Sequence, residues 1–156
     1  MKNILITGGA GFIGTKLSQK LTEKGYKVVI LDNLSPQIHG DNFEYKPFQD
    51  VSFIKGDVRN SKDWENALQG IEIIVHLAAE TGTGQSMYEV HKYVDTNCGG
   101  TARMLDYLVN QSHRVQKVIV ASSRAIYGEG KYFCVIKVLI TLLYNYVRNG
   151  TRCNHV

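Results

Sequence analysis

A glycine-rich turn near the start of the chain constrains the fold more than any other feature. Residues 7–14 read Thr-Gly-Gly-Ala-Gly-Phe-Ile-Gly, between a run of leucine and β-branched residues and a stretch with helical spacing. Such a turn needs glycine because its backbone takes positive φ, because a Cβ would obstruct a bound pyrophosphate, and because the helix must pack close to the strand. The N–H groups of the first helical turn then face the phosphates. The pattern predicts a dinucleotide site, with contacts from Gly8, Gly11, Phe12, Ile13 and Gly14.

Acidic residues follow the next two predicted strands. Asp32 lies 18 positions after Gly14, where a carboxylate would accept hydrogen bonds from the adenosine ribose. Neither Asn33 nor the residue after it is an arginine, so the sequence favours NAD over NADP. Asp57 is placed to meet an adenine amino group, although a role in a turn or a helix cap is the simpler interpretation of this residue alone. His76 ends the fourth predicted strand, and we expect it to be structural rather than a general base.

Strand and helix patterns alternate along the chain. Apolar runs that stop at turn residues predict five strands, at residues 2–7, 27–31, 51–55, 71–77 and 117–122. Helical spacing predicts three helices, at residues 12–24, 62–68 and 86–110. This alternation implies right-handed crossovers between parallel strands. We therefore expect an α/β fold, a doubly wound (Rossmann) parallel sheet in a three-layer arrangement.

Particular residues set the expected limits of these elements. Ser61 precedes the second helix and is a suitable N-cap. Gly99 and Gly100 interrupt the helical spacing of the third. Residues 33–50 hold both prolines of the chain and predict a long loop.

Charge and cysteine content exclude several classes of function. The chain has 18 Lys and Arg against 14 Asp and Glu, a net charge of +4. Four of those basic residues lie in residues 130–156, which contain no acid, so the preceding part is neutral. A nucleic-acid-binding face would be basic within the folded body, and we expect none. The three cysteines lack metal-site spacing, and no apolar run approaches the length of a membrane span. A cytoplasmic protein without a metal is expected.

An ordered series of motifs resembles the extended short-chain dehydrogenase/reductase family, in particular its NAD-dependent nucleotide-sugar epimerases and dehydratases. The series comprises residues 7–14, 31–33, 56–58, 76–79, 95–101 and 121–128. The resemblance implies NAD as the cofactor, with further contacts from Asn33, Val58, Leu77, Ala78, Ala79, Asn97 and Ser122. Residues 80–88 look most like those of epimerases acting on UDP-glucose or dTDP-deoxysugars, which implies a UDP- or dTDP-hexose as the nucleotide-sugar (NDP-sugar) substrate.

The resemblance also implies a reaction. In that family a tyrosinate takes the proton of the sugar 4-hydroxyl while C4 gives a hydride to the nicotinamide, and the hydride then returns to the opposite face. The residue that bonds the reacting oxygen corresponds to Ser123. A lysine four positions after the tyrosine lowers the tyrosine pKa, since a nearby cation favours the phenolate. Arg124 and Ala125 stand where the 4,6-dehydratases have an Asp-Glu pair, so an epimerase is expected rather than a dehydratase.

The chain departs from the family pattern after residue 128, where no Tyr-x-x-x-Lys segment is found. Tyr132 is followed by Lys137 five positions later, and the extra ~100° of helical rotation would misalign the pair. Tyr144 has Arg148 four positions later, but a planar guanidinium does not replace a compact ammonium. The resemblance implies Ser123 as a catalytic residue. Tyr144 with Arg148 is a further candidate pair, which fits the family's Tyr-x-x-x-Lys pattern less well.

These departures lead to an expected organisation. Residues 1–129 would form the NAD-binding domain and residues 130–156 a helical tail, in a chain truncated before the family's C-terminal substrate lobe. The tail could result from a reading-frame disruption, or could cover the sheet or meet a partner. The expected protein is an epimerase relative with impaired catalysis. The alternatives are a non-enzymatic NAD-binding module completed by a homodimer or another chain, a 4,6-dehydratase-like protein, and a reductase that uses Tyr144.

Overall fold

The computed structural model describes residues 2–82 and 84–123 and contains a five-stranded parallel sheet. The strands are β1 Asn3–Thr7, β2 Lys27–Asp32, β3 Val51–Lys55, β4 Ile73–His76 and β5 Lys117–Val120. Their order in the sheet is β3-β2-β1-β4-β5, and every pairing is parallel. The chain first moves outward from β1 through β2 to β3, and then returns to the other side of β1. This reversal places a topological switch point between β1 and β4, where α/β sheets bind ligands.

Helices connect the strands. They are α1 Phe12–Glu23, α2 Pro36–His39, α3 Ser61–Ala67, α4 Val90–Val94 and α5 Gly100–Asn110. A 3₁₀ turn, Gln85–Met87, precedes α4, and a π-helical turn, Asp95–Gly99, joins α4 to α5.

The central strands of the sheet are buried on both faces. In β1, Ile4 and Ile6 belong to an apolar cluster that includes Leu17 of α1. Leu5, between them, belongs to a second cluster with Trp64 of α3 and Met104 of α5. Successive side chains of a strand point to opposite faces, so α1 covers one face while α3 and α5 cover the other. The expected Rossmann-type, three-layer α/β fold is confirmed, and burial on both faces explains why β1 reads as a continuous apolar run.

Three local expectations were wrong. The loop predicted at residues 33–50 contains α2, which begins at Pro36 because proline is pre-organised for the first helical position. The N-cap of α3 is Asn60, whose side chain accepts a hydrogen bond from the Lys62 N–H at 3.0 Å, and Ser61 is already helical.

The third difference concerns Gly99 and Gly100, which do not interrupt the helical path. The backbone runs through the π-helical turn directly into α5. A Cβ at Gly100 would lie 2.8 Å from Cγ2 of Val58, so this glycine allows the helix to approach the segment after β3.

The chain divides into two compact units, residues 1–121 and 122–156. In the second unit the structure describes Ser122 and Ser123, and both are exposed. Residues 130–156, with Tyr144 and Arg148, lie outside the described residues, so the domain boundary at residue 129 stays a prediction. Every helix in the described part of the chain is too short or too polar to cross a membrane.

Candidate dinucleotide site

A cleft of about 340 Å³ lies at the carboxyl edge of the sheet, beside the turn that joins β1 to α1. Its volume is within the range of small-molecule sites. The walls come from the glycine turn and from the segments that follow β2, β3 and β4. Eleven of the residues predicted to contact a cofactor line this cleft: Gly8, Gly11, Phe12, Ile13, Gly14, Asp32, Asn33, Val58, Leu77, Ala78 and Ala79.

The glycine turn is as tight as the sequence pattern requires. Gly8 has φ +67°, and a Cβ there would lie 2.8 Å from the backbone N of Ala78. A Cβ at Gly14 would lie 2.5 Å from Cα of Gly9. Glycine is therefore needed at Gly8 for the approach of β1 to the chain after β4, and at Gly14 for the approach of α1 to the turn.

The start of α1 is suited to an anion. Gly11 is the N-cap and supplies no side-chain hydrogen bond, and no acidic residue lies in the first helical turn. The N–H groups of that turn have no partner within the helix, and the helix dipole adds partial positive charge at this end. Phe12 and Ile13, whose N–H groups belong to this turn, both line the cleft. A pyrophosphate fits these residues.

The Asp32 carboxylate lines the cleft at the end of β2, next to the start of α1. The residue is 8% exposed. Its Oδ2 accepts a hydrogen bond from the N–H of Ala10 at 3.1 Å, and its Oδ1 accepts one from the N–H of Leu34 at 2.9 Å. His39 Nε2 lies 3.6 Å from Oδ1. An ionised carboxylate has about four lone-pair positions, so Asp32 retains the capacity to accept hydrogen bonds from ribose hydroxyls.

Asp57 Oδ1 accepts a hydrogen bond from the N–H of Arg59 at 2.8 Å, a turn contact of the kind that its simpler interpretation predicted. Arg59 binds it through both carboxylate oxygens, with Nη2 at 2.7 Å from Oδ2 and Nε at 3.0 Å from Oδ1. Asn33 Nδ2 donates to Oδ2 at 3.0 Å. The hydrogen bond from the Arg59 side chain is the main cause that lowers the pKa of Asp57 to about 2. Asp57 is outside the set that lines the cleft, and its contact with adenine stays a prediction.

His76, the last residue of β4, has a hydroxyl beside each ring nitrogen. Thr7 Oγ1 is 2.7 Å from Nδ1, and Thr101 Oγ1 is 3.2 Å from Nε2. The residue is 4% exposed, and burial lowers the pKa of its imidazole. A neutral, hydrogen-bonded ring that links β1, β4 and α5 agrees with the structural role expected from the sequence.

Asn97 shapes the cleft through its neighbour. Its side chain accepts a hydrogen bond from the N–H of Glu80 at 2.8 Å and donates one to the carbonyl oxygen of Glu80 at 3.1 Å. Glu80 lines the cleft, whereas Asn97 is outside the lining set. Ser122 and Ser123 belong to the second unit of the chain, and their predicted contacts with cofactor and substrate stay predictions.

Sequence reasoning missed the wall that α2 provides. Ser35, Ile38 and His39 line the cleft beside Asp32. The Ser-Pro pair at residues 35–36 is a helix-start signal, but a helix of four residues has too little periodicity to be recognised. Glu80, Thr81 and Thr96 also line the cleft. Within residues 2–82 and 84–123, no three His, Cys, Asp or Glu side chains are grouped so that they could hold a metal ion.

Comparison with known proteins finds a matching family model and similar relatives. The model of the NAD dependent epimerase/dehydratase family matches residues 4–138. The dTDP-L-rhamnose 4-epimerase of Burkholderia thailandensis is 41% identical over 134 residues, which are 84% of this chain and 37% of that relative. Bifunctional protein GAL10 of Candida maltosa is 37% identical over 130 residues, 80% of this chain and 84% of that relative.

Solved structures agree with these relatives. UDP-glucose 4-epimerase from Bifidobacterium longum in complex with NAD⁺ and UDP superposes with a TM-score of 0.67 at 31% identity, over 88% of this chain and 42% of that one. This chain thus spans about two fifths of the length of that epimerase and of the rhamnose epimerase.

Proposed function

Because this chain belongs to the NAD dependent epimerase/dehydratase family, we propose that its cleft binds NAD and that it derives from an epimerase that inverts C4 of a nucleoside-diphosphate hexose. The observation that carries the proposal is the pairing of an uncapped helix start with the buried Asp32 carboxylate in one cleft. A dinucleotide needs both groups, one for the phosphates and one for the ribose.

Different residues of the cleft would bind different parts of the cofactor. The N–H groups at the start of α1 would bind the pyrophosphate, and Asp32 would accept hydrogen bonds from the adenosine ribose. Val58, on the side of β3, would contact the adenine, and Asp57 would orient Asn33 nearby. Ala78 and Ala79 have small side chains, which leave room for the cofactor across the end of β4. When bound, NAD would supply a reversible acceptor for the C4 hydride.

The proposed substrate is a UDP- or dTDP-hexose. The relatives that support this choice are named as a dTDP-L-rhamnose 4-epimerase and as UDP-glucose 4-epimerases. Ser123 would bond the oxygen at C4. Since Tyr144 and Arg148 do not reproduce a Tyr-x-x-x-Lys pair, we propose that this chain binds NAD but catalyses the inversion poorly or not at all.

Calorimetric titration of the purified chain with NAD and NADP tests cofactor binding. We expect one NAD per chain and a dissociation constant for NADP at least about tenfold higher, because Asp32 would repel a 2′-phosphate. A titration in which NAD produces no binding heat, with NADH fluorescence equally unchanged, would contradict the proposal.

Catalysis is tested separately, by incubating the chain with NAD and UDP- or dTDP-hexoses. We expect no C4 inversion above background, while a full-length UDP-glucose 4-epimerase in the same buffer converts its substrate. Clear turnover by this chain would show that the proposed impairment is wrong.

The second candidate function is a non-catalytic NAD-binding module completed by another copy or a companion chain. The observation that favours it is exposed apolar surface on the edge strand β5, where Ile119 is 45% exposed and Val120 is 54% exposed. Isolated exposed apolar residues are ordinary, but a cluster of them often marks an interface. Sedimentation at micromolar concentration should show a dimer that responds to NAD, and a strict monomer indifferent to NAD would contradict this function.

A further inference from the structure

A set of polar side chains joins the two walls of the cleft that follow β2 and β4. Lys92 Nζ donates a hydrogen bond to Gln37 Oε1 at 3.0 Å and lies 3.5 Å from Glu80 Oε2. Gln37 adjoins Ile38 and His39 in the wall after β2, whereas Glu80 lines the wall after β4. The Gln37 side chain also donates to Gln85 Oε1. These contacts form a continuous polar connection from one wall to the other, which we call the polar strap (Gln37, Glu80, Gln85, Glu89 and Lys92).

Sheet topology places the polar strap across the end of β1. The strands β2 and β4 are not neighbours, because β1 lies between them. Neighbouring strands are about 4.8 Å apart, so β2 and β4 are about 10 Å apart. A contact between Gln37, which follows β2, and Lys92, which follows β4, therefore crosses the region of the glycine turn and the cleft.

Charge and hydrogen bonding hold the polar strap together. Glu89 Oε2 lies 3.2 Å from Lys92 Nζ, and Glu89 Oε1 accepts a hydrogen bond from Gln85 at 2.9 Å. The hydrogen bond between Lys92 and Glu89 is the main cause of the raised pKa of the Lys92 ammonium. Each contact joins two protein side chains, so the polar strap forms without help from a ligand. Surface contacts of this kind are individually weak, and a strap built from them can open.

We propose that the polar strap is a gate over the dinucleotide cleft and sets the rate at which a dinucleotide enters and leaves. This inference rests on the proposed binding of NAD. Because the contacts of the gate join protein groups, opening precedes both entry and release. Weakening the gate then accelerates association and dissociation together, and the dissociation constant changes much less than either rate. A side chain that contacts the ligand directly would behave differently, since its loss changes mainly the dissociation rate.

Stopped-flow measurement of NADH fluorescence tests the gate. In Lys92→Met, which keeps the aliphatic stem but removes three polar contacts, we expect both rate constants to rise about tenfold, with a dissociation constant within about threefold of the original. Gln37→Ala should shift both rates in the same direction. Lys20→Met and Gln19→Ala, both on the exposed side of α1, are matched controls and should leave the rates unchanged. Unchanged rates in both strap variants, or faster dissociation alone, would overturn the gate.

Amide hydrogen exchange without added dinucleotide gives a second test. In Lys92→Met, exchange should accelerate at residues 35–39 and at residues 85–89, on both walls, while the amides of α1 keep their protection. Unchanged exchange on both walls would overturn the polar strap even if NAD did not bind. Failure of the unaltered chain to bind NAD or NADH would instead overturn the proposed function, so the two failures are distinguishable.

Discussion

The Asp32 Oδ2 atom accepts a hydrogen bond from the backbone N–H of Ala10 at 3.1 Å. This bond ties the carboxyl end of β2 to the glycine turn that follows β1, so the group proposed for the ribose and the turn proposed for the phosphates form one unit. Loss of the Asp32 carboxylate should therefore affect both the folding of the turn and the binding of the dinucleotide.

Replacing Asp32 by alanine should weaken NAD binding about 100-fold, because a charge-assisted hydrogen bond contributes about 1.5–3 kcal/mol. Asp32→Asn keeps an acceptor for Leu34 and should lose less affinity. Calorimetric titration measures both variants, with thermal unfolding to confirm that each is folded. Unchanged NAD affinity in a folded Asp32→Ala variant would contradict the ribose assignment.

Replacing Gly8 by alanine should destabilise the fold strongly. The positive φ alone costs about 1 kcal/mol for an L-residue, and the new Cβ would lie 2.8 Å from the Ala78 backbone, which cannot move freely. Gly70 is the matched control, since its φ is +71° and a Cβ there would lie at an ordinary contact distance of 3.7 Å from Asn3 Nδ2.

Urea unfolding separates the two contributions. We expect Gly70→Ala to lose about 1 kcal/mol of unfolding free energy, and Gly8→Ala to lose about 3 kcal/mol or more. Equal losses at the two positions would show that the contact between the turn and the chain after β4 is looser than the structure indicates.

The pairing of Asp57 with Arg59 should give a stability that depends on acid pH. The pKa of Asp57 is lowered from 3.8 to about 2 in the folded protein. A depressed pKa means that the unfolded chain binds the proton more readily, so the stabilisation is present above about pH 4 and is lost as the pH falls from 4 to 2. Solvent screening of this partly exposed pair limits its size to about 1–2 kcal/mol.

Urea unfolding of Asp57→Asn and of the unaltered chain at several pH values measures this contribution. The difference between the two should be largest at neutral pH and should shrink below pH 4. Arg59→Met should reproduce the loss at neutral pH, because it removes the main cause of the shift. A difference that stays constant from pH 7 to pH 2 would contradict the assignment.

The buried His76 should add a second pH dependence, near neutrality. Burial lowers the pKa of its imidazole, so the folded protein keeps the ring neutral at a pH where the unfolded chain binds a proton. Stability should therefore fall as the pH drops below about 6.5. His76→Gln should remove this slope, whereas the exposed control His91→Gln should keep it. An identical slope in all three proteins would refute the role of His76.

Local sequence was sufficient for the strands and for the turn. The five strands were predicted close to their observed limits because runs such as Ile4 to Ile6 are buried on both faces and must be apolar throughout. The glycine turn was predicted because only glycine adopts the positive φ of Gly8 next to another backbone. Asp32 was predicted because it ends the strand that follows this turn.

Other features depended on contacts between distant residues. Gln37 and Lys92 are 55 positions apart, and nothing near either of them in the sequence marks a contact. The role of Asn97, which holds the backbone of Glu80, is likewise a contact across 17 positions. The π-helical turn replaced the expected break because packing of Gly100 against Val58 outweighed the low helical propensity of the two glycines.

The sequence by itself determined which segments form the sheet, where the turn lies, and which carboxylate stands beside it, because backbone conformation and two-sided burial restrict the residue types locally. Only the tertiary structure decided which walls face each other across the end of β1. That choice follows from strand order, since the return of the chain to the far side of β1 brings the segments after β2 and β4 together, and no local pattern of residues encodes that meeting.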